Sequence, residues 1–229
     1  MLWIKAWEES RTRFAIIALV LTGFCVFATL FHRPVGPLGS GSVGLRIHDL
    51  IYSGTAKGTF AMLSVFLGLG GLTRERVRRT AMFTLALPVS RLQVLGTQVG
   101  VGLLELAVLS LLPGFSLPLL SWLAHDPYPF LKALHYSVLW FVCSMVVFAF
   151  AYLLAVAFEG EYTPPVACYI ALMVQALIAS WAPLRSYRLN LMWTMAEFPA
   201  IPWERLLTLL MITFVFFALA AWITRKQDL

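Results

Sequence analysis

The stretch from Leu72 to Arg91, LTRERVRRTAMFTLALPVSR, sets Arg74, Arg76, Arg78, Arg79, Arg91 and Glu75 between two apolar runs. These side chains do not form a catalytic set. They form a cationic surface suited to acidic groups on a partner or to anionic lipid headgroups. A second candidate is Glu105, an acid deep in an apolar run. In hydrocarbon a carboxyl must face the bundle interior, hold a proton or bond to a neighbour, and it is a functional hypothesis by default. Its two readings are substrate or proton handling and a structural hydrogen bond within the bundle. A phosphate cradle of the Gly-x-x-x-x-Gly-Lys-Ser/Thr type is absent from the sequence. The nearest string, GTAKGTF from Gly54, has its lysine before the second glycine. The chain is therefore not expected to hydrolyse ATP or to hold a cofactor of its own. Cys25, Cys143 and Cys168 lie far apart inside apolar runs, which suits buried small hydrophobes and neither a disulfide framework nor a metal site.

The elements that must carry these residues follow from composition. Of 229 residues, 60% are hydrophobic and only 12% charged, with a mean hydropathy of +0.84, which indicates an integral membrane protein. A bilayer core about 30 Å thick needs about 20 apolar residues in helix. Six such stretches fall at roughly 14–31, 56–72, 91–112, 136–158, 164–182 and 206–223. The expected fold is an all-α membrane protein, one membrane domain over 1–229. The connections are too short to bury a core of their own.

Six spans put both termini on one side. That side would hold Lys5, Arg11, Arg13, the five arginines above, Arg225 and Lys226; the other would hold Arg33, Arg46, Lys57, Lys132, Arg185, Arg188 and Arg205. The excess is modest, but the density of the Arg74–Arg91 cluster places it, and both termini, in the cytoplasm. The run after Lys5, Arg11 and Arg13 reads as a retained anchor, since no small-x-small cleavage site follows it closely. Pro88 lacks an N–H and disfavours helix just before it, so segment 73–90 should form a short surface helix ending near Leu87, with a new helix from about Ser90. Its first half is basic and its second half, Ala81 to Leu87, largely apolar.

These residues resemble the type-2 ATP-binding-cassette (ABC) exporter permeases. Glu75, then Arg79-Thr80, then Leu87-Pro88-Val89-Ser90-Arg91 follow that family's acid, Gly-Thr pair and Leu-Pro-Val-Ser-Arg run after the second span. Arg79 stands where the family has glycine, and Thr97-Gln98 stand where it often has Gly-Lys. Residues 1–13 look like its amphipathic elbow helix: Trp3, Trp7 and Phe14 fall within about 40° of one another on a helical wheel, while Lys5, Glu8 and Thr12 face away. The tail TRKQDL is similar to the basic-then-acidic ending of many such subunits.

The resemblance implies that 73–90 holds a coupling helix seated on a separate ATPase subunit, which carries the ATP and Mg. Arg74, Glu75, Arg76, Arg78, Arg79, Thr80, Pro88 and Arg91 would lie at that contact, with Met82, Phe83 and Leu85 filling a pocket, because exposed ion pairs add only about 0–1 kcal/mol each. It also implies a second permease subunit, identical or not, and export across a prokaryotic cytoplasmic membrane, with membrane lipids but no nucleic acid as further partners. In that family the second and fifth spans commonly line the dimer interface and pathway, placing Phe60, Met62, Ser64, Phe66, Met173 and Gln175 near cargo, with Glu105 a further candidate. Packing is the competing account of each. Gly68, Gly70 and Gly71 would allow close helix approach or a hinge. Residues 183–202 resemble the short re-entrant helices before the family's sixth span, with Trp181, Trp193 and Trp203 at the outer interface.

Other classes compete. Glu8-Glu9 with Arg13 matches the Glu-Glu-x-x-x-Arg pattern of intramembrane prenyl-protein proteases, but those need histidines buried beside the acids to activate water. His32, His48, His125 and His135 fall at span edges or in loops of the opposite side. An ATP-independent secondary transporter would carry several mid-membrane ionisable groups, where this chain offers mainly Glu105. A membrane subunit that passes force or signal to an external partner is the third possibility.

Overall fold

A computed structural model describes residues 2–30, 51–52, 55–69, 91–123, 128–158, 160, 162–181 and 203–226. Among them are six α-helices and no strand: α1 (Leu2–Leu30), α2 (Thr55–Leu69), α3 (Arg91–Leu123), α4 (Phe130–Ala157), α5 (Thr163–Ser180) and α6 (Trp203–Lys226). Four of them, α1, α3, α4 and α6, are long and apolar enough to cross a membrane. The apolar helices α2 and α5 are shorter. At 15 residues, α2 extends only about 22 Å.

The organising element is α4. It packs against α2, α3, α5 and α6, while α1 lies on α3 and α2. Its buried face includes Ser137, Trp140, Ser144, Phe148 and Tyr152. Trp140 is fully buried, stacked on Phe60 at 5.0 Å between ring centroids and edge-on to Tyr52 at 5.4 Å. Helix directions follow from such pairs. Phe60 meets Trp140 and Gly68 meets Phe148 and Ala151, so α2 and α4 run parallel. Gly102 meets Phe148 and Gly114 meets Ser137, so α3 opposes α4. Leu139 clusters with Leu206 and Tyr152 with Ala220, so α6 runs with α4. The starts of α1 and α3 therefore gather with the ends of α4 and α6, and the N-terminus of α1 and the C-terminus of α6 share one end of the bundle.

Two boundaries differ from those read in the sequence. The span expected over 91–112 continues to Leu123 through Pro113 and Pro118, a helix of 33 residues or about 50 Å. Each proline removes one N–H, but in a packed membrane-type helix hydroxyls and neighbouring helices absorb the loss. The Ser121 hydroxyl donates to the Pro118 carbonyl at 3.0 Å and accepts from the Tyr128 N–H at 2.9 Å, tying the end of α3 to the chain just before α4. The elbow over 1–13 and the span over 14–31 form one unbroken helix, Leu2–Leu30, because Ala, Ile, Leu and Val follow Phe14 without a proline or glycine before Gly23. The expected stripe is present within it, with Trp7 and Phe14 5.5 Å apart. The start of α5 uses two prolines in its first turn, where their missing N–H groups would be unbonded anyway. Gly160, at φ 125° in the turn before it, has a backbone that favours glycine.

Candidate functional site

Charge enters the described bundle along the seam between α1 and α3. Both helices are mainly apolar, but α1 carries Lys5, Glu9, Ser10 and Arg13 and α3 carries Gln93, Thr97, Gln98 and Glu105. Spacings of three or four residues put most of these on facing helix surfaces. Glu105 is 2% exposed, and the Ser10 hydroxyl donates to its Oε1 across the seam. That hydroxyl is also 3.0 Å from the Ala6 carbonyl and 3.2 Å from that of Trp7, so its single proton has three acceptors to choose from.

Around this contact, Lys5 Nζ pairs with Glu9 Oε1 at 3.9 Å and the Arg13 guanidinium donates to the Glu9 carbonyl at 3.5 Å. Arg13 lines the same cleft as Glu105. On α3, Thr97 donates to the Gln93 carbonyl at 2.7 Å, and the Tyr152 hydroxyl reaches Gln98 Oε1 at 3.5 Å. Two clefts adjoin here. One is lined by Leu2, Lys5, Ala6, Glu9, Val94, Thr97 and Gln98. The other shares Ala6, Glu9 and Gln98 and adds Ser10, Arg13, Leu67, Val101, Gly102 and Glu105. Together they form a groove with charges of both signs. It can hold polar or charged groups against two helices. Among the described residues no cluster of His, Cys, Asp and Glu could hold a metal ion.

The residues singled out from sequence separate. Phe60 and Ser64 are buried at 1% exposure, Phe60 against Trp140 and Ser64 bonded to the Ala61 carbonyl at 2.6 Å. Both face the packed interior of α2 and α4. Met62, Phe66 and Met173 face outward, and Gln175 is half-buried on α5. Phe66 and Met62 meet Tyr169 of α5, by ring contact at 6.1 Å and by a hydrogen bond to the Met62 carbonyl at 3.3 Å. Glu105 stands apart from this group, on the opposite seam. Arg91 is the first residue of α3. Arg74, Glu75, Arg76, Arg78, Arg79, Thr80, Met82, Phe83, Leu85 and Pro88 lie outside the described residues, as do Gly70, Gly71 and 183–202. Glu8 is exposed on α1, and His135 packs on Tyr136 at 5.3 Å. Ser10 was not singled out as the partner of Glu105, nor Arg13 as its neighbour in the cleft. Their signal was the polar spacing on α1, which by itself names no partner 95 residues away.

The fold and this seam define an all-helical bundle compatible with an integral membrane protein, with four helices able to span. No family model, no curated protein and no solved structure matches the chain.

Proposed function

We propose that the chain is the membrane-spanning subunit of a type-2 ABC exporter, coupling ATP hydrolysis by a separate ATPase subunit to the export of a substrate. In this reading all six helices are membrane-embedded, and the first turns of α1 lie at the cytoplasmic interface. Both termini are cytoplasmic, and two such subunits form the complete membrane unit. The observation that carries it is the cationic, half-apolar stretch Leu72–Arg91, whose Leu-Pro-Val-Ser-Arg run leads straight into α3 at Arg91. Leu69 ends α2 and Arg91 starts α3, so the stretch links two bundle helices at the end where both described termini lie. Nucleotide closure of the ATPase pair would pull on this link and tilt α3 against its neighbours, converting a chemical step into alternating openings.

The test is co-purification of the tagged chain from its native membrane in mild detergent. A stoichiometric ATPase is expected, and it should be lost on reversing Arg74, Arg76, Arg78 and Arg79 to glutamate while the chain still inserts and elutes as a single species. A chain that transports in liposomes free of any ATPase would overturn the reading in favour of a secondary transporter.

A further inference from the structure

We propose that the last turns of α3, from Gly114 to Leu123, form an arm that pivots between two positions, and that the Ser137 hydroxyl of α4 is the catch that holds the second. The pivot is written in α3 itself. Pro113 and Pro118 lie inside the helix, and each deprives the carbonyl four residues before it, that of Leu109 and that of Gly114, of its usual donor. Of the serines on this stretch, Ser110 donates to the Ala107 carbonyl at 2.8 Å and Ser121 to that of Pro118, while Ser116 has no hydrogen-bond partner among the described residues. Neither freed carbonyl is taken up by them. Gly114, between the prolines, adds a residue with no side chain to resist a change of direction.

Opposite these two carbonyls, α4 presents two buried donors with nothing to bond. Ser137 and Trp140 are 0% exposed, and neither the hydroxyl nor the indole N–H has a hydrogen-bond partner among the described residues. They stand in register with the freed carbonyls. A Cβ on Gly114 would lie 2.5 Å from the Ser137 Oγ, and Trp140 shares one cluster with Leu109. A serine inside a helix ordinarily turns its proton to its own chain three or four residues back. Here the carbonyl four back, that of Ala133, already accepts from the Tyr52 hydroxyl at 3.3 Å. Buried donors are rarely left unbonded, so two of them beside two freed acceptors describe a contact one short displacement from closing. That displacement is open to the arm. Phe115, Leu119, Trp122 and Leu123 are 56% to 67% exposed, and the tip is tied to the Tyr128 N–H through Ser121, which keeps the swing short. The part of α3 before Gly114 is fixed, with Glu105 bonded to Ser10 and Gly102 against Phe148. Motion is thus confined to the bundle end away from both described termini, whose packing can change while the other end holds.

The inference does not depend on the ATPase reading and is tested on this chain alone. The full chain in lipid nanodiscs carries spin labels at Leu119→Cys and Leu131→Cys, exposed positions on the arm and on α4, or at Leu104→Cys and Leu131→Cys as a reference pair. Cys25, Cys143 and Cys168 are buried, and labelling is kept short enough to spare them. Double electron-electron resonance should give two distances for the arm pair and one for the reference pair. Ser137→Ala should cut the second population about three- to fivefold, the worth of one hydrogen bond. It breaks no bond of the described position, so the variant should still elute as a single species. Pro118→Ala returns a donor to the Gly114 carbonyl and should cut the same population without touching α4. A single distance from the arm pair, or a ratio of the two that either substitution leaves unchanged, would overturn the proposal.

Discussion

The two seams of the bundle are built on different physics. Between α2 and α4, and from there to α5, contact is by aromatic rings and small residues: Phe60 on Trp140, Gly68 on Phe148 and Ala151, and Cys168 among Val147, Ala151 and Ala155. Between α1 and α3, contact is mixed, with Trp3 over Gly100 but also Ser10 on Glu105 amid Glu9, Arg13 and Gln98. Lipid tails are as apolar as leucine, so within a bilayer the first seam would be held by close packing and the second partly by hydrogen bonds that hydrocarbon cannot replace. A packing seam should therefore respond to volume, and a polar seam to the loss of single donors and acceptors.

The largest effect is expected at Trp140. In water-soluble proteins a buried Trp→Ala change costs about 3–5 kcal/mol through lost transfer energy and a cavity together. Within a membrane bundle the transfer part largely vanishes and the cavity part remains, so Trp140→Ala should cost about 3 kcal/mol in a mild-detergent melt. Trp140→Phe should cost clearly less, about 1–2 kcal/mol, because it deletes only part of the ring volume and the indole N–H has no hydrogen-bond partner to lose. A penalty for the Phe variant equal to that for the Ala variant would show that the N–H matters and that this seam is not one of packing alone.

Glycines sharpen the comparison. A Cβ on Gly68 would stand 2.7 Å from the Phe148 carbonyl oxygen and 2.9 Å from the Ala151 Cβ, atoms fixed to a helix backbone. Gly68→Ala should therefore force α2 from α4 and cost about 1–3 kcal/mol. The equivalent approach at Gly100 is to the far end of the Trp3 ring, which can rotate aside. Gly100→Ala should lower the melt by clearly less than Gly68→Ala, and equal losses would erase the distinction between a rigid and a yielding contact.

On the polar seam, Ser10→Ala removes the donor to Glu105 while leaving the buried acid in place. A lost hydrogen bond to a charged group costs about 1.5–3 kcal/mol in general, but in membrane bundles measured side-chain bonds average about 0.6 kcal/mol. Ser10→Ala should fall between, near about 1 kcal/mol. The double variant Ser10→Ala with Glu105→Leu should recover much of that loss, since it removes the stranded acid along with its donor. Failure of the double variant to recover would show that the Ser10 bond is not what holds the acid in this seam.

The helices were legible as long apolar runs: each lies over the run read for it, within a few residues at most ends, and four of the six are long and apolar enough to cross a membrane. The helix expected to end near residue 112 runs on through Pro113 and Pro118 to Leu123, and a packed membrane-type helix tolerates such prolines. Glu105 was legible as an acid that must find the interior, but Ser10 was not legible as its donor. Serine is common on helices, and nothing local to residue 10 encodes which helix will face it. The same holds for Phe60 and Ser64: sequence placed them on α2, while which side of α2 met α4 depended on Trp140 and Phe148.

The smallest effect tests the same contrast where the two kinds of contact meet. Tyr169 on α5 places its ring against Phe66 at 6.1 Å and its hydroxyl on the Met62 carbonyl at 3.3 Å. That carbonyl belongs to a helix and already has a backbone donor four residues on, so the tyrosine bond is a second, longer one to the same oxygen. Tyr169→Phe keeps the ring and its packing and deletes only this bond. If the α2 to α5 contact is one of shape, the change should be no more than about 0.5 kcal/mol in the melt, and Tyr169→Ala, which removes the ring, should cost several times more. Similar losses for the two variants would mean that the hydroxyl carries the contact. The contrast would then shift from one between two seams to one between α4 and everything packed around it.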